Sequence, residues 1–319
     1  MDITTFTARR SFLLGLLLLI LVLLATAPLY MPPQTMPLMT EFLMYIVLTV
    51  SWAIFSGPTG YISLAPAVFF GTGIYVSAVL FGRGGALLPL PAVVVIGGLA
   101  SFIVALLVGT LTLRLKGIYF TIFTFGLIEL ARRLVQYYEF NVTGTRGRYI
   151  ASVDADTVFY VMLAIFVALM LTAYFIKHSK YGLALQCIGE NEEAAAHSGV
   201  NVTTVKVIIF AISAIFMGAA GAIIATRWVY IDPSIAFNFN YSFMPVLMAI
   251  VGGMGQLYGP VLGTLAFVYL RHFLLSRTPD YYMLIFGIAM VGVVLYMPNG
   301  LVGLIQRLTQ KWRKGGSEQ

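Results

Sequence analysis

The chain has 319 residues, of which 60% are apolar and 10% charged, with a formal net charge of +7. Soluble domains are about 45–50% apolar and about 25% charged, and they keep a polar skin. The composition therefore excludes a soluble enzyme, a disordered chain and a nucleic-acid binder, and it specifies an all-α, polytopic membrane protein.

A membrane-crossing helix needs roughly 20 apolar residues. The first candidate, 11–30, comes after Arg9 and Arg10. Two arginines before a Leu-rich run and Ala25-Thr26-Ala27 also fit an export signal, but in so apolar a chain a first membrane helix with a basic inner flank is expected. The stretch 42–82 lacks Asp, Glu, Lys and Arg and is long enough for two spans, with Gly57, Pro58 and Gly60 as the natural break. Further spans are expected at 84–113 (starting near Pro91), 118–138, 157–176, 207–226, 242–255, onward from Pro260, and 281–306, which makes about ten. Lys and Arg in short loops set orientation. With Arg9 and Arg10 in the cytoplasm, alternation also places Arg114, Lys116, Lys177, Lys180, Lys206 and the basic tail 307–319 there, so both termini are inside. The whole chain, 1–319, reads as a single transmembrane domain.

The longest polar cytoplasmic stretch, 177–206, is the most informative. Residues 181–188 suit a short helix ending at Gly189. Asn191 is a good N-cap, Glu192 and Glu193 sit in a first turn where the helix dipole favours carboxylates, and Ala194, Ala195 and Ala196 are strong helix formers. Gly199 can close that helix in the left-handed conformation. The expected product is a pair of short kinked helices, one presenting small side chains between charged ends, which suits docking. A solvated connecting loop with acids chosen for capping is the plainer alternative.

Two interrupted segments stand out. Gly255, Gly259 and Gly263 repeat every four residues, but Pro260 fits a first helical turn better than an interior, so a break near Gly259 is expected. Together with the break at Gly57, Pro58 and Gly60, with Ser63 just beyond it, this marks either a pathway through the membrane or a tight interfacial turn. Glu129 is the notable carboxylate within an expected span, and Arg133 four residues on offers it a helix-face ion pair. No phosphate-binding G-x-x-x-x-G-K-[ST] loop occurs, so this chain does not bind ATP by that route. With one cysteine (Cys187) and three scattered histidines, it offers no metal set and no catalytic constellation.

Glu193-Ala194-Ala195-x-x-x-Gly199 resembles the EAA coupling motif of ABC importer permeases. Further strings occur in the order of one family of such permeases: Gly60-Tyr61-Ile62-Ser63-Leu64, Leu115-Lys116-Gly117-Ile118-Tyr119-Phe120, Gly218-x-x-Gly221-Ala222, Gly252-Gly253-Met254-Gly255-x-x-x-Gly259-Pro260 and Pro298-x-Gly300-Leu301. The chain thus resembles the M-type inner-membrane permease of branched-chain amino acid ABC importers. The resemblance implies a type II importer-like permease in the bacterial inner membrane. It also implies a homologous second permease, two ATP-binding subunits and a periplasmic binding protein as partners. The segment around Glu192, Glu193, Ala194, Ala195 and Gly199 would couple to the ATP-binding subunit, and ATP would be used by the partners, with no cofactor on this chain. The chain departs from the family at Tyr61, Ala65 and Pro66, and in Thr143-Gly144-Thr145-Arg146-Gly147. Those departures bear on the cargo, since relatives of this fold carry urea, other amino acids, amides and small organic acids. A stand-alone secondary transporter is the competing class. It would need ion-coupling acids or bases on several spans.

Overall fold

The computed structural model describes residues 23–82, 88–256 and 258–278, with isolated positions between 281 and 303. Most of the expected first and last spans, and the basic tail 307–319, lie outside the described residues.

Apolar runs dominate the chain, and the described residues are mostly helix. The long helices are α1 (Met36–Thr59), α2 (Pro66–Leu80), α3 (Leu90–Thr112), α4 (Ile118–Tyr138), α5 (Ala155–Lys177), α8 (Val202–Ala225), α9 (Asn240–Gly252) and α10 (Tyr258–Arg277). Two short helices, α6 (Lys180–Glu190) and α7 (Glu192–His197), lie between α5 and α8. Six described segments are long and apolar enough to cross a membrane: α1, α3, α5, α8, α10 and the stretch Pro233–Gly252. The expectation of about ten spans is therefore not confirmed. At 15 residues α2 is apolar but short, and α4 carries Glu129, Arg132 and Arg133 on a less apolar face.

The core forms around α8, whose apolar window is 78% buried. Lipid tails give apolar side chains little reason to associate, so membrane helices hold together by close packing of small residues. Here Gly73 of α2 and Gly218 of α8 touch backbone to backbone: a Cβ on Gly73 would overlap the Gly218 carbonyl oxygen, and one on Gly221 would overlap that of Phe70. Ser101 of α3 closes the three-helix contact by hydrogen bonding to the Phe69 carbonyl (2.8 Å). α9 and α10 make a second such crossing through Gly252, Gly259 and Gly263.

One end of the bundle carries α6 and α7. At the other end a two-stranded antiparallel sheet pairs β1 (Arg148–Tyr149) with β2 (Tyr230–Ile231), in the register Arg148 to Ile231, and Gly82 bridges to Ile150. That end also carries an Arg271–Glu41 ion pair (2.8 Å) and a bond from Arg227 to the Pro37 carbonyl.

Candidate functional site: the loop helices and the broken segments

The polar stretch is shaped by three side-chain caps. Ser179 accepts from the Tyr181 amide, Asn191 from the amides of Glu193 and Ala194, and Asn201 from that of Thr204. Each satisfies amides that a helix start leaves unpaired. The expected Asn191 cap is present, and Gly199 closes α7 at φ +86°, as expected for a left-handed terminator. α6 is longer than the expected 181–188. Gly189 continues the helix and lies against the Pro58 carbonyl, where a Cβ would not fit.

The residues of the expected coupling motif separate onto two faces. Glu193, Ala194 and Gly199 are exposed, and among the described residues the Glu193 carboxylate makes only a long 3.9 Å contact with the exposed Lys116. Ala195 is buried, and Glu192 turns inward. Its Oε1 receives the Lys206 ammonium at 2.8 Å and its Oε2 receives the Tyr61 hydroxyl at 2.6 Å. Lys206 is only 1% exposed, and its ammonium also reaches the Leu113 carbonyl (3.2 Å) and the Tyr61 hydroxyl (3.3 Å). Partial burial pushes the Glu192 carboxyl up. Hydrogen bonds from Lys206 and Tyr61 outweigh that and hold it below its ordinary value of 4.5.

The first break lies later than expected. α1 runs through Gly57 and Pro58 to Thr59, and Gly60 (φ 70°) ends it in the left-handed region. Pro58 forfeits its own amide bond to the Ile54 carbonyl, but the helix ends one residue later, so little of it lies beyond the defect. Residues 60–65 are non-helical, and side chains satisfy their backbone. Trp52 donates to the Ser63 carbonyl (2.7 Å), Thr121 to that of Ile62 (2.8 Å) and Ser242 to that of Leu64 (2.9 Å). The Leu64 amide reaches Thr124 (3.0 Å), that of Ala65 the Ser63 hydroxyl (3.2 Å) and that of Ala67 the Ser242 hydroxyl (2.9 Å). Irregular backbone among apolar helices persists only when protein supplies such partners.

The second break lies earlier than expected. α9 ends at Gly252, residues 253–256 are non-helical, and Gly259 and Pro260 already belong to the first turn of α10. The helix can start before Pro260 because a proline in a first turn forfeits no intrahelical bond. Gly255, Gly259 and Gly263 therefore share no continuous face. Gly57 and Pro58 at the end of α1, Gly255 in the second break and Pro260 at the start of α10 meet with Lys177 and Gln186 around one cavity of about 240 Å³ beside α6. Gly60 and Ser63 do not line it.

Glu129 is bonded at 2.7 Å to both Arg132 and Arg133, so the expected ion pair with Arg133 is present and Arg132 joins it. Sequence reasoning missed Lys206, counted only as a loop charge, because α8 starts at Val202 and carries it inside. It also missed Glu139 at the far end, which is 2% exposed, accepts from the Gly147 amide (3.1 Å) and lies 3.8 Å from Arg148. No local pattern distinguishes Glu139, because its partners come from other segments.

The family described as "Branched-chain amino acid transport system / permease component" matches residues 35–294. The LivM permease protein of the high-affinity branched-chain amino acid transport system of Escherichia coli is 27% identical over 92% of this chain and 75% of its own length. A probable LivM permease of Methanocaldococcus jannaschii is 24% identical over 66% of this chain and 67% of its own. The ribose import permease protein RbsC of Haemophilus influenzae is 27% identical over 40% of this chain and 41% of its own. No solved structure matches significantly. Matched across most of its length, and built of apolar helices interrupted as a transporter's are, this chain belongs to the family of branched-chain amino acid transport system permease components.

Proposed function

We propose that this chain is one of two homologous transmembrane subunits of an ATP-binding-cassette importer in a bacterial inner membrane. It moves branched-chain amino acids between a periplasmic binding protein and the cytoplasm, and two ATP-binding subunits drive it. Residues 177–206 and 307–319, and both termini, are cytoplasmic. The chain performs no bond chemistry and binds no cofactor; ATP is used by the partners. The supporting observation is α7, a capped helix that projects Glu193, Ala194 and Gly199 from one end of the bundle while Glu192 ties it to the interior. Such an end is rigid enough to transmit a displacement and open enough to be gripped. Sugar permeases also match in part, so a different small solute is the second reading of the cargo.

Purified complex in proteoliposomes, with its binding protein outside and ATP inside, tests this with labelled leucine. Glu193→Trp is expected to assemble normally, and Gly199→Trp, which meets open space but strains the left-handed end of α7, to stay in the membrane. Each is expected to lose roughly tenfold or more of the uptake, within the usual range of coupling between sites. Undiminished uptake by both variants removes the coupling assignment.

A further inference from the structure

The ion pair of Glu192 and Lys206 lies against the first residues of a broken segment. We propose that Tyr61, Glu192 and Lys206 form a tether that carries displacement of α7 to residues 60–65. The proposal rests on the reading that a nucleotide-driven partner grips this loop.

Four elements converge on one ammonium: α7 through Glu192, the end of α3 through Leu113, the broken segment through Tyr61, and α8, which carries Lys206. Its three protons have three acceptors, so it is saturated where it sits. Tyr61 is held on two further sides, edge-on to Phe120 with ring centroids 5.5 Å apart and under the Lys206 ammonium at 4.6 Å. Among the described residues, its hydroxyl is the only group of the broken segment that bonds to α7.

The segment it leads into lies outside any helix. Gly60 sits in the left-handed region at its start. The carbonyls of Ile62, Ser63 and Leu64 are held by side chains of Thr121, Trp52 and Ser242 rather than by a helical ladder. A shift of Tyr61 can exchange those bonds without unwinding a helix. Thr121 stands on α4 and Ser242 on α9, so the shift is shared with two more helices. The neighbouring contact of Gly189 with Pro58 is backbone on backbone, and it gives α6 a fixed fulcrum on the end of α1. Tyr61, Glu192 and Lys206 are positioning residues here.

The test uses the full complex with Cys187→Ser, which removes this chain's sole cysteine, and Ile62→Cys, placed at an exposed side chain of the segment (44% exposed), with labelling read on this chain alone. Maleimide labelling of that cysteine is timed with and without ATP plus vanadate. With Tyr61 present, trapping is expected to change the rate roughly tenfold, a typical coupling between sites. Tyr61→Phe, which deletes one hydroxyl, should reduce the change to less than about twofold while ATP hydrolysis persists. Glu192→Gln should do the same, and the two together should lose no more than either alone, because members of one linkage are not additive. A rate change that survives Tyr61→Phe, or single losses that multiply in the double variant, overturns the tether and leaves the importer reading intact. A complex that neither hydrolyses ATP nor imports overturns the importer reading and the tether together.

Discussion

Lys206 and Glu192 differ in what surrounds them, and that difference sets what each contributes. The ammonium is 1% exposed, whereas the carboxylate keeps about a quarter of its surface in solvent. Removing one partner of a buried pair costs about 3–5 kcal/mol, mostly because a charge is stranded. Glu192→Ala strands the buried ammonium and belongs in that range. Lys206→Met fills the site with an apolar chain and leaves a carboxylate that water can reach, so it should destabilise less. Thermal unfolding of the detergent-solubilised protein distinguishes the order. The same pair sets a pH dependence. The Glu192 carboxyl lies below 4.5 when folded, so its contribution is present above that value and is lost as pH falls through the lower folded value. Lys206, Tyr61 and Lys116 face it. The stability advantage of the native chain over Glu192→Gln should be flat around neutrality and shrink below pH 4.5.

At the scale of elements, helix starts in the polar loop depend on short-range chemistry. Reading the sequence picks out the Asn191 cap and the Gly199 end but not the caps at Ser179 and Asn201. Ser179, Asn191 and Asn201 each cap the helix that begins at the next residue, and Gly199 terminates α7. The two breaks are each displaced from the expected places, Gly60–Ala65 starting later than Gly57 and 253–256 earlier than Gly259. A proline marks where a helix is weak, but the neighbours decide where it stops. Trp52, Thr121, Thr124 and Ser242 satisfy 62–65 and let the irregular stretch sit there. The helix crossings give a sharper prediction. Gly218→Ala places a Cβ against Ser101 and the Gly97 carbonyl, and such overpacking costs about 1–3 kcal/mol. Gly126→Ala in α4 meets nothing within 4 Å and should gain up to about 1 kcal/mol from helix propensity. Unfolding of the two variants in mixed micelles should shift in opposite directions.

Across the whole molecule, burial divides the helices into an inner pair and an outer set. The apolar windows of α8 and α1 are 78% and 72% buried, those of α3, α5 and α10 39%, 33% and 39%. Apolar content does not set this division, because α3 is as apolar in sequence as α8 and the buried α1 is less apolar than either, so a substitution's effect depends on the face it occupies. Ile223→Ala, at a fully buried position of α8, should cost about 2–5 kcal/mol. Ile103→Ala on the outward face of α3, 56% exposed, should be close to neutral in the same unfolding assay. Equal losses would mean that the outer face of α3 is packed in the assembled protein.

Composition and short-range pattern establish that the chain is a membrane protein, where its polar loop falls in the sequence, that Asn191 and Gly199 bound one helix of it, and which family its motifs belong to. These properties depend on composition or on residues a few positions apart. The tertiary structure alone decided that Glu192 turns inward while Glu193 turns out, that Lys206 is buried, that Glu139 is paired at the far end, and that Gly57, Pro58, Gly255 and Pro260 share a cavity. Adjacent residues on a helix point about 100° apart, and which direction is inside depends on helices distant in sequence. For Glu192 those are the helix that carries Lys206 and the broken segment that carries Tyr61.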